Sequence, residues 1–311
     1  MSEGYWALRE HAAWLDLSDR GKIRATGEDR ARLLHAMTTN NVQQLTTGQG
    51  CYAFFLNPQG RILGDANVFR FEDHFLLDTE PEAHQKLFEH LDRYIIADDV
   101  TIEDARASGG GFATIAVEGP EAAVALTKMG APIPEHPYDT MPWESRIVAR
   151  ASSTGSEGFF IFVPVEQKAE LISQLAAQGI PSASAEEARV VRIEHGRPRY
   201  GEEITERYLV QETGQLQAIH FTKGCYLGQE IVERVRSRGQ VHRVLRRVVL
   251  EMSEAPAAGA KLKAGDADAG EIASAAFSPA LSKVVALAYV RVPHTEPGTE
   301  LTLDGVKARV T

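Results

Sequence analysis

Cysteine is scarce in this chain: Cys51 and Cys225 are the only two in 311 residues. Two thiols cannot build a disulfide framework, so the composition predicts a protein of a reducing, cytoplasmic compartment. They are also too few to hold an iron–sulfur cluster by cysteine alone. Long apolar runs are missing too. The stretch from Val284 to Val290 has the length of a strand and is far too short to span a bilayer. The N-terminus, Met1-Ser2-Glu3-Gly4-Tyr5-Trp6, lacks a basic segment followed by an apolar one, which argues against a secretory signal. Zinc-ligand spacing, a dinucleotide fingerprint and a phosphate loop are all absent. Gly109-Gly110-Gly111 has neither the spacing nor the lysine of a phosphate loop and reads as a joint. Net positive charge is lacking as well. A formal charge of −10 predicts no stable nucleic-acid complex and no attachment to an anionic membrane.

What the chain does have is ordinary globular composition and the length for two or three domains. The first third reads as a helix over 29–37, strands over 50–57, 61–70 and 74–78, a helix over 82–96 and a strand over 100–103. Ser108-Gly109-Gly110-Gly111 then marks a boundary. The middle repeats the grammar, with strands over 112–117, 144–151 and 159–163. Its helices run from Gly119-Pro120 to 128, then over 165–178 and 184–194. Residues 196–221 are polar and aperiodic, as a functional loop would be. From 242 onward short strands over 243–251, 260–263, 270–276, 283–290 and 299–302 are punctuated by glycine and proline, a pattern that suggests a small antiparallel barrel. The expected class is α+β, with halves over 1–108 and 109–241 and a barrel over 242–311.

One octapeptide concentrates chemistry: Lys223-Gly224-Cys225-Tyr226-Leu227-Gly228-Gln229-Glu230. Gly224 and Gly228 read as conformational necessities around the thiol. The sequence 229–236 reads as a helix, which would put Cys225 just ahead of a helix N-terminus, with Lys223 nearby to favour a thiolate. Tyr226 could line a ligand edge, and Gln229 and Glu230 could either open the helix or recognise a polar heterocycle. Cys51, in an apolar run, reads as core. A second concentration is basic: six arginines fall between Arg234 and Arg247, with His242 and no acid. Such an island is either an anion site or a solvated face.

The octapeptide resembles the signature of the YgfZ-type family of folate-binding proteins, relatives of the glycine-cleavage T-protein (aminomethyltransferase) that help mature iron–sulfur proteins. Residues 34–42, 52–63 and 197–204 resemble that family's opening helix and turn, its first hairpin, and the segment leading to the signature. The resemblance implies two ferredoxin-like halves and the barrel arranged around a central channel that holds tetrahydrofolate or a one-carbon derivative. It implies functional roles for Cys225 and Lys223, and a folate-binding surface drawn from Tyr226, Gly224, Gly228, Gln229, Glu230, Asn40 and Asn57. The walls would come from Asn40-Asn41 and 52–57, with the arginine island facing the glutamate tail. Implied partners are a reduced folate and iron–sulfur client or assembly proteins, including enzymes that modify transfer RNA. Two departures from the T-protein pattern stand out. The acid that matters for catalysis there is expected in 77–82, where the motif is not kept. Phe160 stands where a pterin-binding glutamate is usual. Both favour the maturation branch over glycine cleavage. The alternatives are a folate-dependent one-carbon transferase and a non-enzymatic RNA- or protein-interaction module.

Overall fold

The computed structural model describes residues 3–106, 111–239 and 241–311. The expected joint at 108–111 lies outside the described residues apart from Gly111. In chain order the helices are α1 (Glu3–Glu10), α2 (Arg30–Met37), α3 (Pro81–Tyr94), α4 (Ala122–Lys128), α5 (Lys168–Ala177), α6 (Ala185–Glu194) and α7 (Gln229–Arg238). The first ten strands are β1 (Ala13–Asp16), β2 (Gly21–Thr26), β3 (Gly50–Leu56), β4 (Ile62–Arg70), β5 (Phe75–Thr79), β6 (Thr101–Asp104), β7 (Phe112–Glu118), β8 (Thr140–Trp143), β9 (Arg146–Ala149) and β10 (Gly158–Pro164). Six more follow: β11 (Arg243–Leu250), β12 (Lys261–Ala264), β13 (Ala267–Ser278), β14 (Lys283–Arg291), β15 (Glu300–Leu303) and β16 (Val306–Val310).

The strands form two five-stranded antiparallel sheets and a closed barrel. The first sheet has the order β3-β4-β5-β2-β6 and the second β1-β7-β10-β9-β8. The barrel runs β11-β14-β13-β12-β15-β16 and closes where β16 pairs with β11, which leaves it no free edge. The α+β class and the C-terminal barrel expected from the pattern are both present. Local differences have local causes. The strand expected over 144–151 is β9, the second arm of a hairpin whose first arm, β8, the pattern passed over; Glu144 turns the chain between them at a positive φ of 56°. The pattern also passed over α1, β1, β2 and β16, which are short or carry polar residues inside.

Helix ends follow their sequence signals. Pro81 opens α3, where its missing N–H costs nothing. Ser184 and Glu187 form a reciprocal capping box on α6. Between the sheets, Phe69 of the first meets Phe162 of the second edge-on at 5.5 Å. Tyr208 stacks on Tyr289 of the barrel at 3.7 Å, and the Tyr289 hydroxyl donates to the Glu203 carbonyl. The aperiodic stretch 196–221 is therefore packed between the sheets and the barrel. Its Tyr200, Ile204, Val210 and Ile219 join the core of the first sheet.

Candidate functional site

A cavity of about 310 Å³ opens where the two sheets, α6 and the segment 197–202 converge. That is the size of a small-ligand site. Its first wall comes from strand alternation. Asp65 and Asn67, two apart on β4, point to the same face, and Tyr52 of β3 pairs with Asn67 in register. The Tyr52 hydroxyl donates to Asp65 Oδ2 at 2.6 Å. Asp65 is only 5% exposed. Burial, and secondarily the nearby Glu80 charge, pushes its carboxyl up to about 6 from an ordinary 3.8, against the pull of the Tyr52 hydroxyl and of Arg20 and Arg197. Phe160 of β10 forms an apolar wall, with the Arg20 guanidinium 5.5 Å from its ring centroid.

Five arginines line the cavity, and four are bound to carboxylates. Arg20 bonds Asp78 at 2.8 Å and also Glu80. Arg189 bonds Glu202; Arg192 bonds Glu202 at 2.5 Å and Glu203 at 2.8 Å. Arg199 bonds Glu80 at 2.9 Å and Glu82 at 2.8 Å. Arg197 differs. Its guanidinium lies 5.7 Å from the Tyr52 ring centroid and against Tyr138.

The octapeptide lies elsewhere, and none of its residues lines this cavity. Lys223 donates from Nζ to the carbonyls of His35 at 2.5 Å, Thr38 at 2.6 Å and Asn40 at 2.8 Å. It thus satisfies acceptors left at and beyond the end of α2. Burial lowers its ammonium to about 7. The Leu227 N–H donates to the Ala36 carbonyl at 2.9 Å. Gly228 caps α7 at φ 81°, and a Cβ there would come within 2.7 Å of the Asn57 carbonyl. Gly224 has no positive φ, and its nearest neighbour would be His35 Nε2 at 3.9 Å, so it is not required by conformation. The Gln229 side chain accepts from the Tyr226 N–H at 3.1 Å. Glu230 is exposed and pairs with Arg234 at 2.6 Å. Tyr226 is packed in the core of the first sheet, and its buried hydroxyl has no hydrogen-bond partner among the described residues. Cys225 is exposed at the tip of this anchored loop. Beside it, a cleft of about 250 Å³ is lined by His35, Asn41, Thr222 and Lys223, among others.

Asn40 and Asn57 are also occupied with architecture. Asn40 Nδ2 donates to the carbonyls of Tyr52 at 2.9 Å and Gln217 at 3.2 Å. Asn57 Oδ1 accepts from the N–H groups of Gln59 and Arg61 and shapes the β3–β4 turn. Of the walls expected at 40–41 and 52–57, Tyr52 alone reaches the cavity. Among the described side chains, none of the arginine island lines it either. Arg236 lies over Phe221, Arg243 bonds Glu212 at 3.0 Å, and Arg247 bonds the Glu194 carbonyl at 2.5 Å. In the segment 77–82, Asp78 and Glu80 are held by Arg20 and Arg199. Of the acids lining the cavity, Asp16 and Asp19 are exposed and Glu80 and Glu202 are bonded to arginines; Asp65 is the buried one with no guanidinium bond, and the sequence reading missed it. Its signal was an aspartate and an asparagine at period two inside an otherwise apolar strand. Cys51 is partly buried and its thiol is pushed up to about 12, as a packing residue would be.

With the geometry established, similarity to known proteins is informative. Residues 1–223 match the GCVT N-terminal domain family, and residues 245–311 match the glycine cleavage T-protein C-terminal barrel domain. The chain is 30% identical over 314 aligned positions to an aminomethyltransferase of Streptomyces coelicolor, covering 96% of this chain and 83% of that one. It is 28% identical to an aminomethyltransferase of Aquifex aeolicus, covering 96% of this chain and 81% of that one. The crystal structure of aminomethyltransferase T of the Bartonella henselae glycine cleavage system superposes with a TM-score of 0.88, covering 98% of this chain and 86% of that one, at 23% identity. This chain therefore has the aminomethyltransferase fold and belongs to the glycine-cleavage T-protein family.

Proposed function

We propose that the cavity binds a reduced folate and that Asp65 handles a proton there. One observation carries this reading: a buried carboxyl, raised to about 6, faces a cavity of ligand size. The residues suit the ligand. A carboxyl, Asn67 and the Tyr52 hydroxyl offer polar contacts to a heterocycle edge, Phe160 and Tyr52 offer aromatic walls, and Arg197 offers a cation. When bound, tetrahydrofolate supplies an acceptor for a one-carbon unit. Near neutral pH Asp65 can both give and take a proton, as an acid–base group must. Tyr52 fixes its orientation through the 2.6 Å bond.

For the octapeptide we favour the YgfZ-type reading: a partner-facing thiol that supports assembly or repair of iron–sulfur proteins, including those that modify transfer RNA. The supporting observation is that Cys225 is exposed on a loop tied down by Lys223 and Gly228, outside the folate cavity. The competing reading is one-carbon transfer from a small amine, which the aminomethyltransferase relatives and Asp65 favour. Two assays separate them. Under the maturation reading, Cys225→Ala abolishes support of iron–sulfur enzyme activity in cells and leaves folate binding intact. Under the transferase reading, purified protein forms methylene-tetrahydrofolate from an aminomethyl donor, and Asp65→Asn stops it while Cys225→Ala does not.

A further inference from the structure

We propose, resting on the folate reading above, that Asp78 is a positioning residue: from outside the cavity it fixes the Asn67 amide so that the amide oxygen accepts from the exocyclic amine of the ligand's heterocycle. Asp78 does not line the cavity itself. The geometry begins with register. Tyr52, Asn67, Asp78 and Lys22 lie opposite one another across β3, β4, β5 and β2, so they form one polar row on one face of the first sheet. Asp78 is fully buried and accepts from Arg20 on both oxygens, Nε to Oδ1 at 3.1 Å and Nη2 to Oδ2 at 2.8 Å. Lys22, also fully buried, adds a second cation near it. A carboxylate so held only accepts, and its Oδ2 also takes Asn67 Nδ2 at 3.1 Å. That bond dictates which way the amide points, since its nitrogen must face Asp78. The oxygen is left for the cavity, which Asn67 lines. No N–H or O–H among the described residues bonds that oxygen. Other neutral groups follow the same rule. The Tyr52 hydroxyl gives its proton to Asp65, and the Ser152 and Ser153 hydroxyls give theirs to the fully buried Glu118 at 2.8 and 2.7 Å. All three residues line the cavity and have only lone pairs left to offer. The wall therefore selects a ligand edge that donates, and spacing selects which donor. Same-face neighbours on a strand stand about 7 Å apart, close to the length of a fused two-ring heterocycle. With Asp65 beside the nitrogen that carries the one-carbon unit, Asn67 reaches the amine at the far end of the rings.

The test separates positioning from mere support. Titration calorimetry measures the binding of 5-formyltetrahydrofolate, and of its analogue with a methyl group in place of the exocyclic amine, to wild type, Asp78→Leu and Asp78→Asn. Wild type is expected to prefer the amine by about 10- to 100-fold, because the methyl group leaves the Asn67 oxygen unpaired. In Asp78→Leu the amide loses its fixed partner, and the preference should shrink to within about 3-fold while affinity for the methyl analogue stays unchanged. Asp78→Asn should keep the preference. Arg20 only donates, so it holds the new amide's oxygen at the Oδ2 position, where Asn67 still finds its acceptor. A preference that survives Asp78→Leu, or an equal weakening of both ligands there, overturns the positioning role. Loss of the preference in Asp78→Asn overturns it too, since charge rather than acceptor geometry would then be acting. A wild type that binds both ligands alike overturns the amine contact. If wild type binds neither, the folate reading itself fails, which is a different result from binding without preference. Should Asp78→Leu not fold, Asp78→Thr carries the same test, because a β-branched residue suits the strand and its hydroxyl is one atom too short to hold Asn67.

Discussion

Asp65→Asn should change how stability depends on pH. The folded protein holds the Asp65 proton with a pKa of about 6 against an ordinary 3.8, so the native state binds more protons than the unfolded chain between those values. Stability therefore falls as pH rises through that window and levels off above about 6. Relative to the fully protonated state, the ionised carboxylate costs the fold about 1 kcal/mol at pH 4.5 and about 3 kcal/mol at pH 8. Asparagine keeps the shape and an oxygen to accept the Tyr52 hydroxyl, but it does not titrate. Any change in the strength of that bond is a constant offset. The variant should thus gain about 2 kcal/mol on wild type between pH 4.5 and pH 8. Urea unfolding followed by tryptophan fluorescence, at matched ionic strength across that range, measures the difference. Parallel curves, or a variant that loses ground as pH rises, would refute a raised Asp65. The same substitution should abolish any proton-dependent chemistry in the cavity, so stability and function move in opposite directions.

Gly228→Ala should cost about 1–3 kcal/mol, because φ 81° and the 2.7 Å approach to Asn57 both oppose a Cβ, whereas Gly224→Ala should stay within about 0.5 kcal/mol; thermal melts compare them directly. Lys223→Met strips three carbonyls of their donor and should cost about 3 kcal/mol in urea unfolding; a loss under about 0.5 kcal/mol would show that the ammonium does not secure the end of α2. Cys225→Ala should alter stability by less than about 0.5 kcal/mol. In native protein Cys225 should alkylate with iodoacetamide while Cys51 stays protected until unfolding, as peptide mapping by mass spectrometry would show.

The sequence carried the secondary-structure grammar and the barrel, because strand alternation, proline openings and glycine turns are local signals. It also carried the coherence of the octapeptide, since Lys223, Gly228 and Gln229 do act together with Asn40 and Asn57 in one assembly. Their individual tasks were not legible. Whether a lysine tunes a thiol or caps a helix depends on which carbonyls lie within 3 Å, and those belong to residues almost 190 positions earlier. The cavity was hidden for a similar reason. Its arginines come from the turn before β2, from α6 and from the 197–202 segment, and Arg20 and Arg199 find their partners Asp78, Glu80 and Glu82 between β5 and the start of α3. Charges paired over such separations look, in sequence, like ordinary surface charge. The expected folate site was drawn around the exposed thiol and the buried acid was passed over, because nothing in the linear order says that they face different spaces.

The edge position of β1 bears on the order in which the molecule can be made. Residues 13–16 precede the whole first sheet in the chain, yet they pair with 115–118 of β7, and Trp14 bridges to Ser182. In the other direction, Tyr226 and Val232 complete the core beneath β3 and β4. The second sheet thus takes its edge strand from ahead of the first, and the first sheet's core is incomplete until Tyr226 and Val232 have been added. A nascent chain halted before β7 would hold an N-terminal strand with no partner and a first sheet with an open floor. Separately expressed halves should aggregate unless mixed while unfolded. The interleaving makes the two sheets one cooperative unit, so the cavity at their junction forms late and is lost in a single step.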